Sequence, residues 1–187
     1  EVRLKGRANK INVLVVGGSL GAVAINNVLI EGMASKALDI NLWHQAGARN
    51  FDEVKQGYAN AGVDNVKVSA FISNMSEAFA WADVLICRSG ALTVSELMAA
   101  GVASILVPYP HAVDDHQTAN GKILVDSGAA ILIPQPLFSV ENLSQELDRL
   151  SQDRSIILQM SKAARTLAKP DSAKVVANYC IEVIHDG

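Results

Sequence analysis

Four short stretches gather residues whose types and spacing could do chemistry. The first, Gly17-Gly18-Ser19-Leu20-Gly21-Ala22, combines three glycines with a hydroxyl. Glycines let a backbone approach a ligand closely, and a helix opening there offers free N–H groups to an anion. The stretch therefore suits a diphosphate. It is not the dinucleotide fingerprint, because Ser19 stands where the second glycine of G-x-G-x-x-G belongs, and no Gly-Lys-Ser/Thr follows to make a P-loop. A tight strand-to-helix turn with no ligand is the other reading.

The second stretch is Trp43-His44-Gln45-Ala46-Gly47. A nicotinamide-binding domain places Asp or Glu at this point for the ribose hydroxyls, and none is present. His44 reads as a strand-end histidine that packs or hydrogen-bonds locally, ahead of a general base. The third is Arg88-Ser89-Gly90-Ala91-Leu92-Thr93-Val94-Ser95-Glu96, a second glycine turn leading into a helix. A Glu96 carboxylate could accept both hydroxyls of a ribose diol. Thr93-x-x-Glu96 also reads as a capping box, in which Glu96 serves its own helix, and spacing alone does not separate the two. The fourth runs from Pro108-Tyr109-Pro110-His111 through Asp114-Asp115-His116-Gln117-Thr118-Ala119-Asn120. Gln117 and Asn120 are three apart and share a helix face. Side-chain amides with a carboxylate nearby can read sugar hydroxyls and an acetamido group. A solvated polar turn is the alternative. A metal set can be drawn from His111, Asp114, Asp115 and His116, but no recognised ligand spacing supports it.

These stretches need a scaffold, and the chain supplies a regular one. Short aliphatic runs alternate with segments of helical periodicity. Strands are expected at Lys10–Val16, Asp39–His44, Asn65–Ser69, Asp83–Cys87, Val102–Val107 and Ala129–Ile133. Helices are expected over Gly21–Ser35, Phe51–Ala61, Met75–Trp81, Ala91–Ala100, Gln117–Ser127, Val140–Gln152, Ile156–Leu167 and Ser172–Ile184. Near-continuous apolar strands suit a sheet covered on both faces. Strand–helix alternation implies right-handed crossovers and a parallel sheet, so the fold class is α/β: a doubly wound, Rossmann-like, six-stranded parallel sheet. In such sheets ligands sit at the carboxyl ends of the strands, where the four stretches fall.

Composition bounds what the scaffold can serve. Of 187 residues, half are hydrophobic, which excludes a disordered chain. Aromatics make up 5% and the formal net charge is -3, which speaks against nucleic acid and leaves room for a local anion site. Cys87 and Cys180 read as reduced core thiols. No apolar run reaches the ~18–20 residues of a membrane span. Residues 1–9 are polar, without the apolar core of a signal peptide. They read as a linker remnant ahead of one domain at 10–187, and the chain as a cytoplasmic piece of something longer.

The same residues carry a family resemblance. Gly17-Gly18-Ser19-Leu20-Gly21-Ala22, Trp43-His44-Gln45, Trp81-Ala82-Asp83, the run Cys87 to Glu96 and His116-Gln117-Thr118-Ala119-Asn120 stand in one family's order and spacing. The chain resembles the C-terminal half of the MurG family, the N-acetylglucosaminyltransferases that convert lipid I to lipid II in peptidoglycan synthesis. The Arg-Ser-Gly-Ala-Leu-Thr-Val-Ser-Glu run is the specific part. The resemblance implies a GT-B fold and UDP-N-acetylglucosamine as donor, with no cofactor or metal. It implies that Gly18, Ser19 and Gly21 line the diphosphate and that Ile72 holds the uracil edge through its main chain. Ala91, Leu92, Thr93, Val94, Ser95 and Glu96 would line the nucleotide, with Glu96 on the ribose. Gln117 would contact the sugar, with Asn120 nearby.

What the resemblance places in the other half is equally definite. The acceptor site, the membrane-facing patch and the catalytic residues are expected there, with the helix at Ser172–Ile184 returning to it. The fragment alone is then expected to bind donor weakly without turnover, and not to associate with membrane. The full-length enzyme would work on the cytoplasmic face of the bacterial inner membrane. A UDP-N-acetylglucosamine 2-epimerase-like domain and a nicotinamide-binding oxidoreductase domain are the alternatives.

Overall fold

A computed structural model describes residues 4–7, 10–18, 22–172, 174, 175, 177 and 181. Strands β1 (Asn12–Val16), β2 (Asn41–Gln45), β3 (Val66–Ser69), β4 (Val84–Cys87), β5 (Ala103–Leu106) and β6 (Ala130–Leu132) form one sheet in the order β3-β2-β1-β4-β5-β6. Every pairing is parallel. Helices α1 (Val23–Ala34), α2 (Phe51–Asn60), α3 (Met75–Trp81), α4 (Ala91–Ala100), α5 (His116–Asp126), α6 (Val140–Gln152) and α7 (Arg154–Thr166) flank it. The strand order reverses between β1 and β4, the point at which an open α/β sheet leaves a crevice.

Period-two alternation divides the strands between two cores. Val13, Val15, Val84, Ile86, Ala103 and Ile105 face one side, where Ile25 and Leu29 of α1, Val54 and Tyr58 of α2 and the leucines of α6 meet them. Leu14, Leu85, Cys87 and Leu106 face the other, under Val94 and Leu97 of α4 and Leu124 of α5. Helix α6 shows why a helix forms there: Leu143, Leu147 and Leu150 repeat at helical spacing and are buried, and Ser139 caps the first turn by accepting from the Asn142 N–H at 3.2 Å.

Two features fix the base of the sheet. Asp83 is 1% exposed and lies 2.6 Å from Arg7 Nη1 and 3.4 Å from Arg154 Nη1, and it accepts the Asn12 N–H at 2.9 Å. Arg7 also donates to the carbonyls of Ala80 and Trp81, the last of α3, where a cation suits the helix dipole. The stretch read as a linker remnant thus places Leu4 against the core and Arg7 on Asp83.

The expected elements are present, with shorter strands than the apolar runs suggested. Two shifts matter. Gln45 lies inside β2, not beyond it, and α5 begins at His116, one residue before Gln117. Both arise because strand pairing with β1 and β3 extends through Gln45, and because Asp115, at φ 50°, turns the chain into the helix. The expected last helix falls largely outside the described residues; positions 172, 174, 175, 177 and 181 are helical. Cys180 lies outside them. Cys87 is a buried free thiol, and burial together with the Glu96 charge pushes it up to about 12.

Candidate functional site

Two glycine turns meet at the switch point. After β1, the Gly17 N–H donates to the Gln45 carbonyl at 2.9 Å, and a Cβ on Gly17 would lie 3.1 Å from that oxygen, a tight approach that favours glycine. Gly18 adopts φ +75°, and its missing Cβ faces open space. Ser19, Leu20 and Gly21 lie outside the described residues, so the expected contacts of Ser19 and Gly21 have no geometry here. Helix α1 follows from Ala22 with no side-chain cap. After β4, Gly90 is the N-cap of α4 in extended geometry, again with no side-chain cap. Among the described residues, the helix N-termini that follow β1 and β4 have no side-chain cap, the arrangement that attracts an anion.

The N-cap at Gly90 removes one of the two readings left open for Glu96. Thr93 and Glu96 do not form a capping box, because the helix begins at Ala91 and Glu96 falls in its second turn. The first-turn N–H groups lie too far toward Gly90 for Glu96 to cap them. Glu96 is exposed, and with Ser95 and Met98 it lines a cavity of about 660 Å³ closed by Ile123 and the segment from Arg165 to Ser172. Ala91, Leu92 and Ser95 are exposed along the start of α4, Thr93 is half-buried, and Val94 packs into the core. Ser95 Oγ donates to the Ala91 carbonyl at 3.0 Å.

The loops beside these turns are tied together by side chains whose roles spacing did not reveal. Gln45, 5% exposed, accepts the Gly18 N–H at 3.2 Å through Oε1, and its Nε2 donates to the carbonyls of Gly18 at 3.4 Å and Ala70 at 3.1 Å. The Gln45 amide supplies one acceptor and two donors here, where a carboxylate would supply acceptors alone. Ala70 leads into Phe71 and Ile72. The Ile72 side chain is buried, while Phe71 is exposed. On the other half, Arg88 donates to the carbonyls of Val107 at 2.9 Å and Pro108 at 3.0 Å and to Gln135 Oε1 at 2.6 Å. Its guanidinium lies 5.4 Å from the Tyr109 ring centre. Partial burial lowers the Arg88 ionisation from its usual range.

The first turn of α5 is tied to Ser89 through the Gln117 main chain and the Asn120 side chain, while the Gln117 side chain turns to Tyr109. Ser89 is fully buried and its Oγ donates to the Gln117 carbonyl at 2.7 Å. Asn120 Nδ2 donates to the Ser89 carbonyl at 3.3 Å, and Gln117 Oε1 accepts the Tyr109 N–H at 2.9 Å. With its oxygen engaged, Gln117 keeps its NH2 group for a partner. Asp114 and Asp115 both have φ 50°, and Asp115 accepts from Thr118 Oγ1 at 2.7 Å. Among the described residues no three His, Cys, Asp or Glu side chains are grouped as a metal set, and His111, Asp114, Asp115 and His116 do not converge.

His44 belongs to the core. It is fully buried, with Nδ1 2.9 Å from the Tyr58 hydroxyl and Nε2 3.0 Å from Asn26 Oδ1. One neutral tautomer satisfies both: Nε2–H donates to Asn26, and Nδ1 accepts from Tyr58. Burial lowers the imidazole to about 4 and raises the Tyr58 phenol.

Comparison with known proteins agrees with this geometry. Residues 12–176 match the glycosyltransferase family 28 C-terminal domain. The UDP-N-acetylglucosamine--N-acetylmuramyl-(pentapeptide) pyrophosphoryl-undecaprenol N-acetylglucosamine transferase of Marinobacter nauticus is 53% identical over 184 residues, which are 97% of this chain and 50% of that protein. The protein of the same name from Shewanella denitrificans is 47% identical over 186 residues, 98% of this chain and 51% of its own length. The chain spans about half the length of the curated relatives it matches. The crystal structure of Acinetobacter baumannii MurG superposes with a TM-score of 0.86 at 38% identity, covering 95% of this chain and 51% of that one. WaaG, a glycosyltransferase involved in lipopolysaccharide biosynthesis, has a TM-score of 0.68 at 19% identity, covering 100% of this chain and 50% of its own, a likeness of fold alone. The fold is one Rossmann-like half of the GT-B architecture, and the chain belongs to glycosyltransferase family 28 as a C-terminal domain of that family.

Proposed function

We propose that this chain is the donor-binding part of an inverting transferase that moves N-acetylglucosamine from UDP-N-acetylglucosamine to lipid I, giving lipid II for the cell wall. The observation that carries this reading is the pair of uncapped helix N-termini following β1 and β4 at the switch point. The similarity to transferases named for this reaction supports it.

In this reading the diphosphate lies on the turn Gly18, Ser19 and Gly21, facing the start of α1. The main chain of Ile72 holds the uracil edge. Ala91 to Glu96 line the nucleoside, and the Glu96 carboxylate accepts from the ribose hydroxyls. Gln117 gives its NH2 group to a sugar oxygen, with Asn120 fixing the helix start through Ser89. The acceptor hydroxyl attacks C1 of the sugar, the bond from C1 to the diphosphate oxygen breaks with inversion, and UDP leaves. N–H groups of α1 and α4 stabilise the negative charge growing on the departing diphosphate. The proton of the acceptor hydroxyl passes to a base on the other half of the enzyme.

That half also carries the lipid I site and the membrane contact, so the reaction takes place at the cytoplasmic face of the inner membrane. Among the described residues, no helix is long and apolar enough to cross a membrane. The test is product analysis on the full-length protein containing this chain. UDP release that depends on lipid I, with a β-linked disaccharide product, is expected. UDP release without acceptor, accompanied by a free 2-epimerised sugar, would overturn the transferase reading in favour of an epimerase.

A further inference from the structure

Gln45 is the most enclosed polar side chain at the carboxyl end of the sheet whose amide joins two different loops. Its main-chain carbonyl accepts Gly17 N–H at 2.9 Å, so strand β2 and the glycine turn are already joined at the backbone. Its side chain then extends the pairing by one step. Oε1 and Nε2 meet the N–H and carbonyl of Gly18 at 3.2 and 3.4 Å, a two-point contact at the long end of the hydrogen-bond range. The second hydrogen of Nε2 goes to the Ala70 carbonyl at 3.1 Å. The amide is therefore shared: one edge grips the turn after β1, and the other grips the segment after β3. The Ala46 N–H, donated to the Ser69 carbonyl at 2.9 Å, fixes the same segment from the next residue.

Position decides what this sharing does. Gly18 has φ +75°, and among the described residues no atom lies within 4 Å of where its Cβ would be. The Gln45 amide is the side chain that holds its N–H and carbonyl. Ala70 is two residues from Ile72, whose side chain is anchored in the core while its neighbour Phe71 is exposed. Both loops are thus registered on one rigid, buried group at the end of a paired strand.

Resting on the donor reading above, we propose that Gln45 is a positioning residue that couples the diphosphate end of the donor site to its uracil end. It touches no ligand. It sets the Gly18 peptide and the Ala70–Ile72 segment in one frame, so that occupation of the glycine turn is felt at residues 71 and 72. A carboxylate here would keep the bond to Gly18 N–H but face the carbonyls of Gly18 and Ala70 with no hydrogen to give.

The wild-type chain gives a test that needs no variant. Backbone and side-chain amide resonances are followed by NMR during titration with inorganic pyrophosphate, which can fill only the diphosphate end, and separately with UDP. The expected result is that pyrophosphate shifts the Gly18 amide, the Gln45 side-chain NH2 pair and the amides of Phe71 and Ile72 together. Pyrophosphate shifting Gly18 while Gln45 NH2, Phe71 and Ile72 stay fixed would overturn the coupling and leave the donor reading intact. No shift with either pyrophosphate or UDP would overturn both. The variant Gln45→Met, close in size and without hydrogen-bonding groups, adds an affinity readout. Both affinities should fall, and the preference for UDP over uridine should fall about tenfold. An unchanged preference, with uridine still bound, contradicts the proposal.

Discussion

Arg88 reaches past the end of β5 to Gln135, its Nη2 lying 2.6 Å from the Gln135 Oε1. The same guanidinium holds the carbonyls of Val107 and Pro108. One side chain after β4 thereby fixes the exits of β5 and β6. Together with Gln45 on the other half, it leaves the switch point between two braced sets of loops. Arg88→Lys keeps the charge but loses the planar fork that serves three acceptors at once. The expected loss of unfolding free energy in urea is about 2 kcal/mol, with an unchanged slope against denaturant.

The His44 cluster predicts a pH dependence of stability. The folded imidazole titrates near 4, below its ordinary 6.5, so the unfolded chain binds the extra proton between these values. Stability from this group is complete above about pH 6.5 and is lost as pH falls toward 4. The loss is on the order of 3 kcal/mol across that window. The variant His44→Gln should remove this part of the slope, measured as the difference between the two urea-stability profiles from pH 7 to pH 4.

Asp83 joins two arginines at the base of the sheet, and its partners are unequal. Arg7→Ala leaves the carboxylate with Arg154 and the Asn12 N–H, and the expected cost is about 1–2 kcal/mol. Asp83→Ala removes the acceptor shared by Arg7, Arg154 and the Asn12 N–H, while Arg7 keeps the Ala80 and Trp81 carbonyls, and should cost about 2–3 kcal/mol. Urea unfolding of the two single variants and the double variant measures the coupling, which should be positive and weakly dependent on salt.

Glu96 separates binding from folding. Because Gly90 is the N-cap of α4 and Glu96 is exposed in the second turn, Glu96→Gln should change stability by no more than about 0.5 kcal/mol. If the carboxylate accepts from the ribose, UDP affinity falls about 10- to 100-fold. Equal UDP affinity in the variant and the parent chain would remove Glu96 from the site.

Much of the fold was legible because apolar runs and turns carry it. Val13 to Val16 and Val84 to Cys87 read as buried strands, and α3, α4 and α6 begin and end where periodicity places them. The glycine turns were legible because their chemistry is local. Gln45 and Arg88 were less so, since their roles depend on partners 25 and 47 residues away that only the sheet order brings near. Thr93-x-x-Glu96 stayed open between a cap and a ligand group because the pattern of a cap also occurs one turn inside a helix, and the backbone at Gly90 decides against the cap. His44 resolved as a core group because its two partners come from α1 and α2, again by tertiary contact.

A donor site at the β1–β4 switch point requires that this chain bind UDP by itself. Calorimetric titration with UDP tests it most directly, with Glu96→Gln measured alongside. Saturable binding of UDP by the parent chain is expected, with much weaker binding by the variant at equal stability. No binding by the parent chain at millimolar UDP, with the chain shown to be folded by its unfolding transition, would contradict it.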